Sequence, residues 1–197
     1  MANHPSASFP PWVRRIPVRR SHAGLTLIEL VTALTIVAIV TVFAVPSFED
    51  FRVRERLKGA ANNLYTDLQF ARSEAVQRNA QVSVSFVTGA GWCYGIHQGN
   101  VQCDCATANS CSIKTVSGAD FPGISMSQAQ FDAGAGATDW YVIDPRRGQV
   151  VDAAGAAVAG NVVFAGAGSR SLRGDLNAVG RVRLCSPSGS MTGYPTC

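Results

Sequence analysis

Four arginines crowd the C-terminal stretch SRSLRGDLNAVGRVRLC: Arg170, Arg173, Arg181 and Arg183, against a single acid, Asp175. A guanidinium group is always charged and presents a planar fork of donors that matches phosphate oxygens. Arg181 and Arg183 stand two apart, so on a strand both project from one face and can meet successive phosphates. Gly180 in front of them lets a backbone approach closely, and Ser186, Ser188 and Ser190 add hydroxyl donors for phosphate oxygens. The competing reading makes the same arginines solvent-facing charges or ion-pair partners. Arg146 and Arg147 in DPRRG extend the cluster on the first reading and form a charged turn on the second.

A second placed charge is Glu29, the single ionisable residue in the 21-residue run LTLIELVTALTIVAIVTVFAV from Leu25 to Val45. As a helix that run is long enough to cross a hydrocarbon core of about 30 Å. Arg14, Arg15, Arg19 and Arg20 precede Gly24 with no acid among them, which sets the N-terminal end in the cytoplasm and the body of the chain in the periplasm. A carboxylate in lipid is costly unless paired, so Glu29 marks a functional contact. Setting aside the four leader arginines, the remaining basic residues equal the 13 acidic ones. Any attraction to nucleic acid therefore comes from a local cluster and not from net charge.

Other chemistry is sparse. His4, His22 and His97 are too scattered for a catalytic or metal constellation, and His97, near Trp92 and Tyr94, reads as structural. No G-x-S-x-G, P-loop or H-E-x-x-H pattern occurs, so the chain reads as non-enzymatic with no cofactor. All six cysteines, Cys93, Cys103, Cys105, Cys111, Cys185 and Cys197, follow the apolar run, which fits disulfides in an oxidising compartment. Cys103, Cys105 and Cys111 as zinc ligands are the alternative, but no C-x-x-C and no nearby His pair supports it.

The elements that position these residues follow from periodicity. Pro46 predicts a kink, after which Phe51, Leu57, Ala60, Ala61, Leu64, Leu68, Ala71 and Ala75 recur at three- and four-residue spacing. Arg52, Arg54, Glu55, Arg56, Lys58, Asp67, Arg72, Glu74 and Arg78 form the opposite, charged face. Beyond Asn79 the period switches to two, and Val82, Val84 and Phe86 against Ser83 and Ser85 mark a strand. Further strands are expected at 92–97, 123–128, 140–143, 161–164 and 179–185, with 132–138 and 153–160 as loops or turns. The expectation is an α+β fold, a long N-terminal helix kinked at Pro46 and packed on an antiparallel β-sheet head.

Gly24, the hydrophobic start at Leu25, and Glu29 five residues into the segment after Gly24 resemble a type IV prepilin. That resemblance implies cleavage between Gly24 and Leu25 by a prepilin peptidase, methylation of the new Leu25 amine, and pairing of Glu29 with the Leu25 amine of a neighbouring subunit in the filament. Leu25 stands where Phe is commonest, and the 24-residue leader is long for the class. The stretch LQFARSEAVQRNAQVSVSF (68–86), Trp92, DPRRGQV (144–150) and the terminal GRVRLCSPSG with its last Cys are similar to the GspH/FimT family of minor pilins and pseudopilins. Cys185 and Cys197 enclose the final loop and are expected to pair; the insert from Gly99 to Ser112 is harder to match to the family, and there Cys105–Cys111 is expected next, leaving Cys93–Cys103.

In FimT-type members a G-R-x-R motif implies binding of incoming DNA in natural transformation, and Gly180, Arg181 and Arg183 match it residue for residue. Arg170 and Arg173 join them as candidate DNA contacts. The implied organisation is a leader over 1–24, a transmembrane and filament-core half-helix over 25–46, an amphipathic half-helix over 47–79 and a disulfide-bonded periplasmic head over 80–197. The implied partners are other pilin subunits, the assembly machinery, the inner membrane before assembly, and double-stranded DNA. The alternative function is a structural minor pilin, or an H-type pseudopilin of type II secretion, that assembles without binding DNA.

Overall fold

A computed structural model describes residues 24–132, 134 and 136–197, without the side chains of 43–47. The leader before Gly24 lies outside the described residues. Helix α1 (Leu27–Arg78) begins at Thr26, whose hydroxyl accepts the Glu29 N–H at 3.3 Å while its carbonyl accepts the Leu30 N–H at 3.1 Å. Thr26 thus caps the helix, and Glu29 lies in the first turn, where the helix dipole favours an acid. The sequence reading gave Glu29 only an intersubunit role. α1 runs through Pro46, and a proline can bend a helix without ending it. It ends where Asn79 adopts the left-handed region (φ 48°) and the Ala80 N–H bonds the Ala75 carbonyl at 3.2 Å.

Contacts divide the chain into two units, 1–43 and 44–197. In the first, the described side chains from Gly24 to Val42 are all exposed. The hydroxyls of Thr32, Thr35 and Thr41 donate to the carbonyls of Glu29, Val31 and Ala38 at 3.0, 2.8 and 2.9 Å, so each satisfies itself within the helix. Among the described residues no helix is long and apolar enough to cross a membrane. The apolar run read in the sequence continues to Val45, into the residues whose side chains are not described.

In the second unit the expected helix stripe is buried: Leu57, Ala60, Ala61, Leu64, Leu68, Ala71 and Ala75 all lie in the core, whereas Phe51 is exposed. They pack with strands from two antiparallel sheets. The first contains β1 (Val82–Val87), β2 (Cys93–Gln98), β3 (Lys114–Ser117), β5 (Trp140–Asp144) and β6 (Gln149–Val151), in the order β3-β2-β1-β5-β6. The second contains β4 (Ser125–Asp132), β7 (Ala159–Gly166), β8 (Arg170–Leu176) and β9 (Val182–Cys185), in the order β4-β7-β8-β9. The head is α+β as expected, with three strands, β3, β6 and β8, that the sequence reading did not mark, and Ala159 and Gly160 belong to β7 instead of the loop before it.

Trp92 anchors the centre. Its Nε1 donates to the Ile124 carbonyl at 2.9 Å, and its ring stacks on Tyr94 and Phe121 and meets Phe164 edge-on at 5.1 Å. Asp67, expected on the charged face of the helix, is buried at 3% exposure. It accepts the Tyr94 hydroxyl at 2.8 Å and the Lys114 ammonium at 2.6 Å, so the acid occupies the core stripe because β2 and β3 bring it two donors.

The disulfides are Cys93–Cys105, Cys103–Cys111 and Cys185–Cys197. The terminal bridge is the one expected; the other two exchange partners relative to the expected Cys105–Cys111 and Cys93–Cys103. The cause is the path of the insert over the outer face of the first sheet. Ser83 donates to the Val101 carbonyl at 2.6 Å and the Cys103 N–H donates to the Ser85 hydroxyl at 3.1 Å, which lays the chain across β1 and sets Cys103 over Gly95 of β2, against Cys111. Cys105 then returns to Cys93 at the start of β2. His97 is structural here, accepting the Ser112 N–H on Nδ1 at 3.2 Å.

Candidate nucleic-acid interface

β8, β9 and the turn between them carry the four arginines, with Arg173 and Arg183 on the outer face of the second sheet. Along β8, Leu172, Gly174 and Leu176 face inward, leaving Ser171, Arg173 and Asp175 on the other side. β9 pairs with β8 so that Arg183 lies directly opposite Asp175 and Cys185 opposite Arg173. Val182 is buried and Arg183, opposite Asp175, is exposed on the outer side; Arg181 is also exposed but precedes β9 in the turn, where strand alternation does not set its side. β9 itself is shorter than expected, because residues 177–181 form the turn from β8. There the Asn177 N–H donates to the Arg181 carbonyl at 3.1 Å, and the Arg181 N–H to the Asn177 side-chain oxygen at 2.8 Å. Asp175, Leu176, Asn177, Arg181 and Arg183 line one open groove.

The four arginines divide into two pairs. Among the described residues Arg181 and Arg183 form no ion pair. Arg170 bonds Asp50 of α1 at 3.0 Å with its side chain 13% exposed, and also donates to the Ala167 carbonyl at 3.1 Å. Arg173 grips Asp175 with Nε at 2.8 Å. Arg170 therefore ties the β7–β8 turn to the helix, and Arg173 is engaged on its own strand.

Gly180 does different work from that expected of it. Its φ is +77°, and a Cβ there would lie 2.6 Å from the Gly148 carbonyl and 3.3 Å from Arg72 Nε. Its close approach is thus to the β5–β6 turn, which joins the β8–β9 turn through the Val150 N–H and the Ala178 carbonyl at 2.9 Å. That contact places the exposed Arg146 and Arg147 beside the β8–β9 turn. Asp144 shapes their turn by accepting the Arg146 N–H at 3.2 Å. The sequence reading offered Arg146 and Arg147 as an extension of the cluster, with a charged turn as the alternative, but did not foresee that Gly148 and Gly180 seat the two turns together. Gly180→Ala is expected to cost about 1–3 kcal/mol, combining a left-handed backbone with a steric push on the adjoining turn, read as a lower denaturant midpoint.

Ser186, Ser188 and Ser190 do not act as one set. Ser186 is buried and bonds the Ser171 carbonyl at 3.4 Å, whereas Ser188 and Ser190 are exposed and bonded to each other at 2.7 Å. Asp175, Cys185 and Cys197 lie within 4.8 Å of one another, but both sulfurs are joined in the disulfide and offer no thiolate to a metal.

Comparison with known proteins gives two family matches. The family described as type II transport protein GspH matches residues 60–192, and the prokaryotic N-terminal methylation motif matches residues 19–45. No curated protein sequence matches the chain. Among solved structures, the Pseudomonas aeruginosa type IV minor pilin FimU is similar at 18% identity, covering 68% of this chain and 91% of that one with a TM-score of 0.47.

Proposed function

The chain belongs to the GspH family, and from that premise we propose that it is a minor pilin whose head binds DNA through Arg181 and Arg183, with Gly180 seating their turn. The membership makes it a structural, non-enzymatic minor pilin or pseudopilin of a type IV pilus or a type II secretion system. The N-terminal methylation motif accords with insertion in the inner membrane, processing between Gly24 and Leu25 by a prepilin peptidase, and assembly with other pilins through Glu29.

The observation that carries the DNA reading is the pair Arg181 and Arg183, both exposed, both lining one open groove and without an ion-pair partner among the described residues. Arg146 and Arg147 add two exposed guanidiniums at the adjoining turn. Gly180 serves such a site indirectly, by seating the two turns together. Phosphate contacts of this kind predict binding that is independent of sequence and weakens steeply with salt.

The test is duplex binding by the full chain in neutral detergent, as wild type and as Arg181→Ala/Arg183→Ala, across a salt series. The double variant is expected to lose on the order of tenfold or more in affinity and to flatten the log–log salt slope by roughly 1.8, the equivalent of two phosphates. Equal binding by both proteins would sink the reading.

A second reading, assembly without DNA, is favoured by a separate observation: Arg170 and Arg173 are already engaged by Asp50 and Asp175. It predicts loss of piliation or secretion on deletion of the protein, and no effect of the Arg181→Ala/Arg183→Ala change.

A further inference from the structure

We propose that Asp175 is an internal competitor for the phosphate chain and limits the affinity of the arginine face by holding Arg173. The inference rests on the DNA-binding reading above and names the residue that regulates that site. Arg173 is ion-paired to Asp175, with Nη2 donating to Oδ2 at 3.1 Å and Nε 2.8 Å from Oδ1 without hydrogen-bond geometry. The guanidinium that is paired with the carboxylate is the group that would receive a phosphate, so the two anions compete for it.

Position makes the competition unavoidable. Asp175 is the direct cross-strand partner of Arg183 and lines the same groove as Arg181 and Arg183. A phosphate chain leaving Arg183 across the sheet meets the Asp175 carboxylate before it meets Arg173. The Oδ2 that accepts Arg173 Nη2 also lies 3.4 Å from the sulfur of Cys185, itself bridged to Cys197. Engagement of a third arginine by DNA requires exchange: Arg173 leaves the carboxylate and takes a phosphate.

Removing the charge while keeping the shape tests this directly. Asp175→Asn, in the full chain in neutral detergent with a labelled duplex, is expected to bind about fivefold more tightly and to steepen the log–log salt slope by roughly 0.9, one additional phosphate. In an Arg173→Gln background the same Asp175→Asn change is expected to gain less than about twofold, because there is no fork to release. Asp175→Ser, with a smaller side chain, should reproduce the gain and guards against a packing defect peculiar to Asn.

An equal gain in both backgrounds would overturn the proposal, since Asp175 would then act through net charge alone. Unchanged or weaker binding by both Asp175 variants, with wild type binding, would overturn it in favour of an acid that supports the site. Failure of wild type and every variant to bind overturns the DNA-binding reading, and this inference with it.

Discussion

Gly95→Ala is expected to destabilise the head by roughly 3 kcal/mol, a large loss for a single methyl group. Gly95 is in the middle of β2, opposite Ser85 and Thr115. A Cβ built there would run into Cys111 Sγ and come within 3.0 Å of Cys103 Sγ, because the Cys103–Cys111 bridge occupies the space a side chain would fill. Either the bridge lifts off the sheet or it fails to close. Closing so short a loop contributes about 2–3 kcal/mol, and lifting it also disturbs the bonds that cover Ser83 and Ser85.

Denaturant midpoints and free-thiol counts on the unreduced, unfolded protein measure both consequences. The decisive control is Gly95→Ala in a Cys103→Ala/Cys111→Ala background, where the methyl group finds room and should cost under about 1 kcal/mol. An equal cost in both backgrounds would place the defect in the strand backbone and reject the role given to the bridge.

The same glycine shows where sequence reasoning stops. The helix stripe from Leu57 to Ala75 and the alternation of Val82, Val84 and Phe86 were legible because burial on one face imposes a period on the chain. Disulfide pairing has no such period; it depends on which neighbouring strand offers an empty place, and Gly95 is far in sequence from Cys111. β8 was missed for a related reason. Its inward positions read Leu172, Gly174, Leu176, and the missing side chain at Gly174 breaks the alternation, while in the fold Leu184 and Leu64 approach that empty place to 3.5 and 3.9 Å. β3 and β6, with four and three residues, are too short to show a period at all.

In the candidate site the outward side of Arg183 could be read from the strand period, whereas Arg181 lies in the turn before β9, outside that period. Arg170 could not, because its partner Asp50 lies 120 residues away on the helix. Nor could the role of Gly180, since Gly148 reaches it only through the packing of two turns.

Asp67 was read as surface for the same reason, and it supports the second large effect. Its carboxylate side chain is 5% exposed, with the Lys114 ammonium at 2.6 Å and the Tyr94 hydroxyl at 2.8 Å. Lys114→Met leaves a nearly buried charge with one neutral donor. Breaking a fully buried pair costs about 3–5 kcal/mol; here Lys114 is 40% exposed, so water partly replaces it, and a loss of about 2–3 kcal/mol is expected. Tyr94→Phe should cost about 1–3 kcal/mol by removing the other donor. Replacing all three groups together, as Asp67→Leu/Tyr94→Phe/Lys114→Met, should cost less than Lys114→Met alone, because no orphaned charge remains. A triple variant as unstable as the sum of the single losses would show that the network adds net stability of its own.

Tyr94 also gives the network a pH signature. Burial, and then its bond to the Asp67 carboxylate, push the phenol far above its ordinary range, and burial does the same to Tyr141. Both stay protonated in the folded head while tyrosines of the unfolded chain ionise near pH 10. The folded state then binds more protons than the unfolded one, so stability is fully present below about pH 10 and falls as pH rises beyond it. Tyr94→Phe removes one of the two contributions, and its stability should decline less steeply above that pH than that of the wild type.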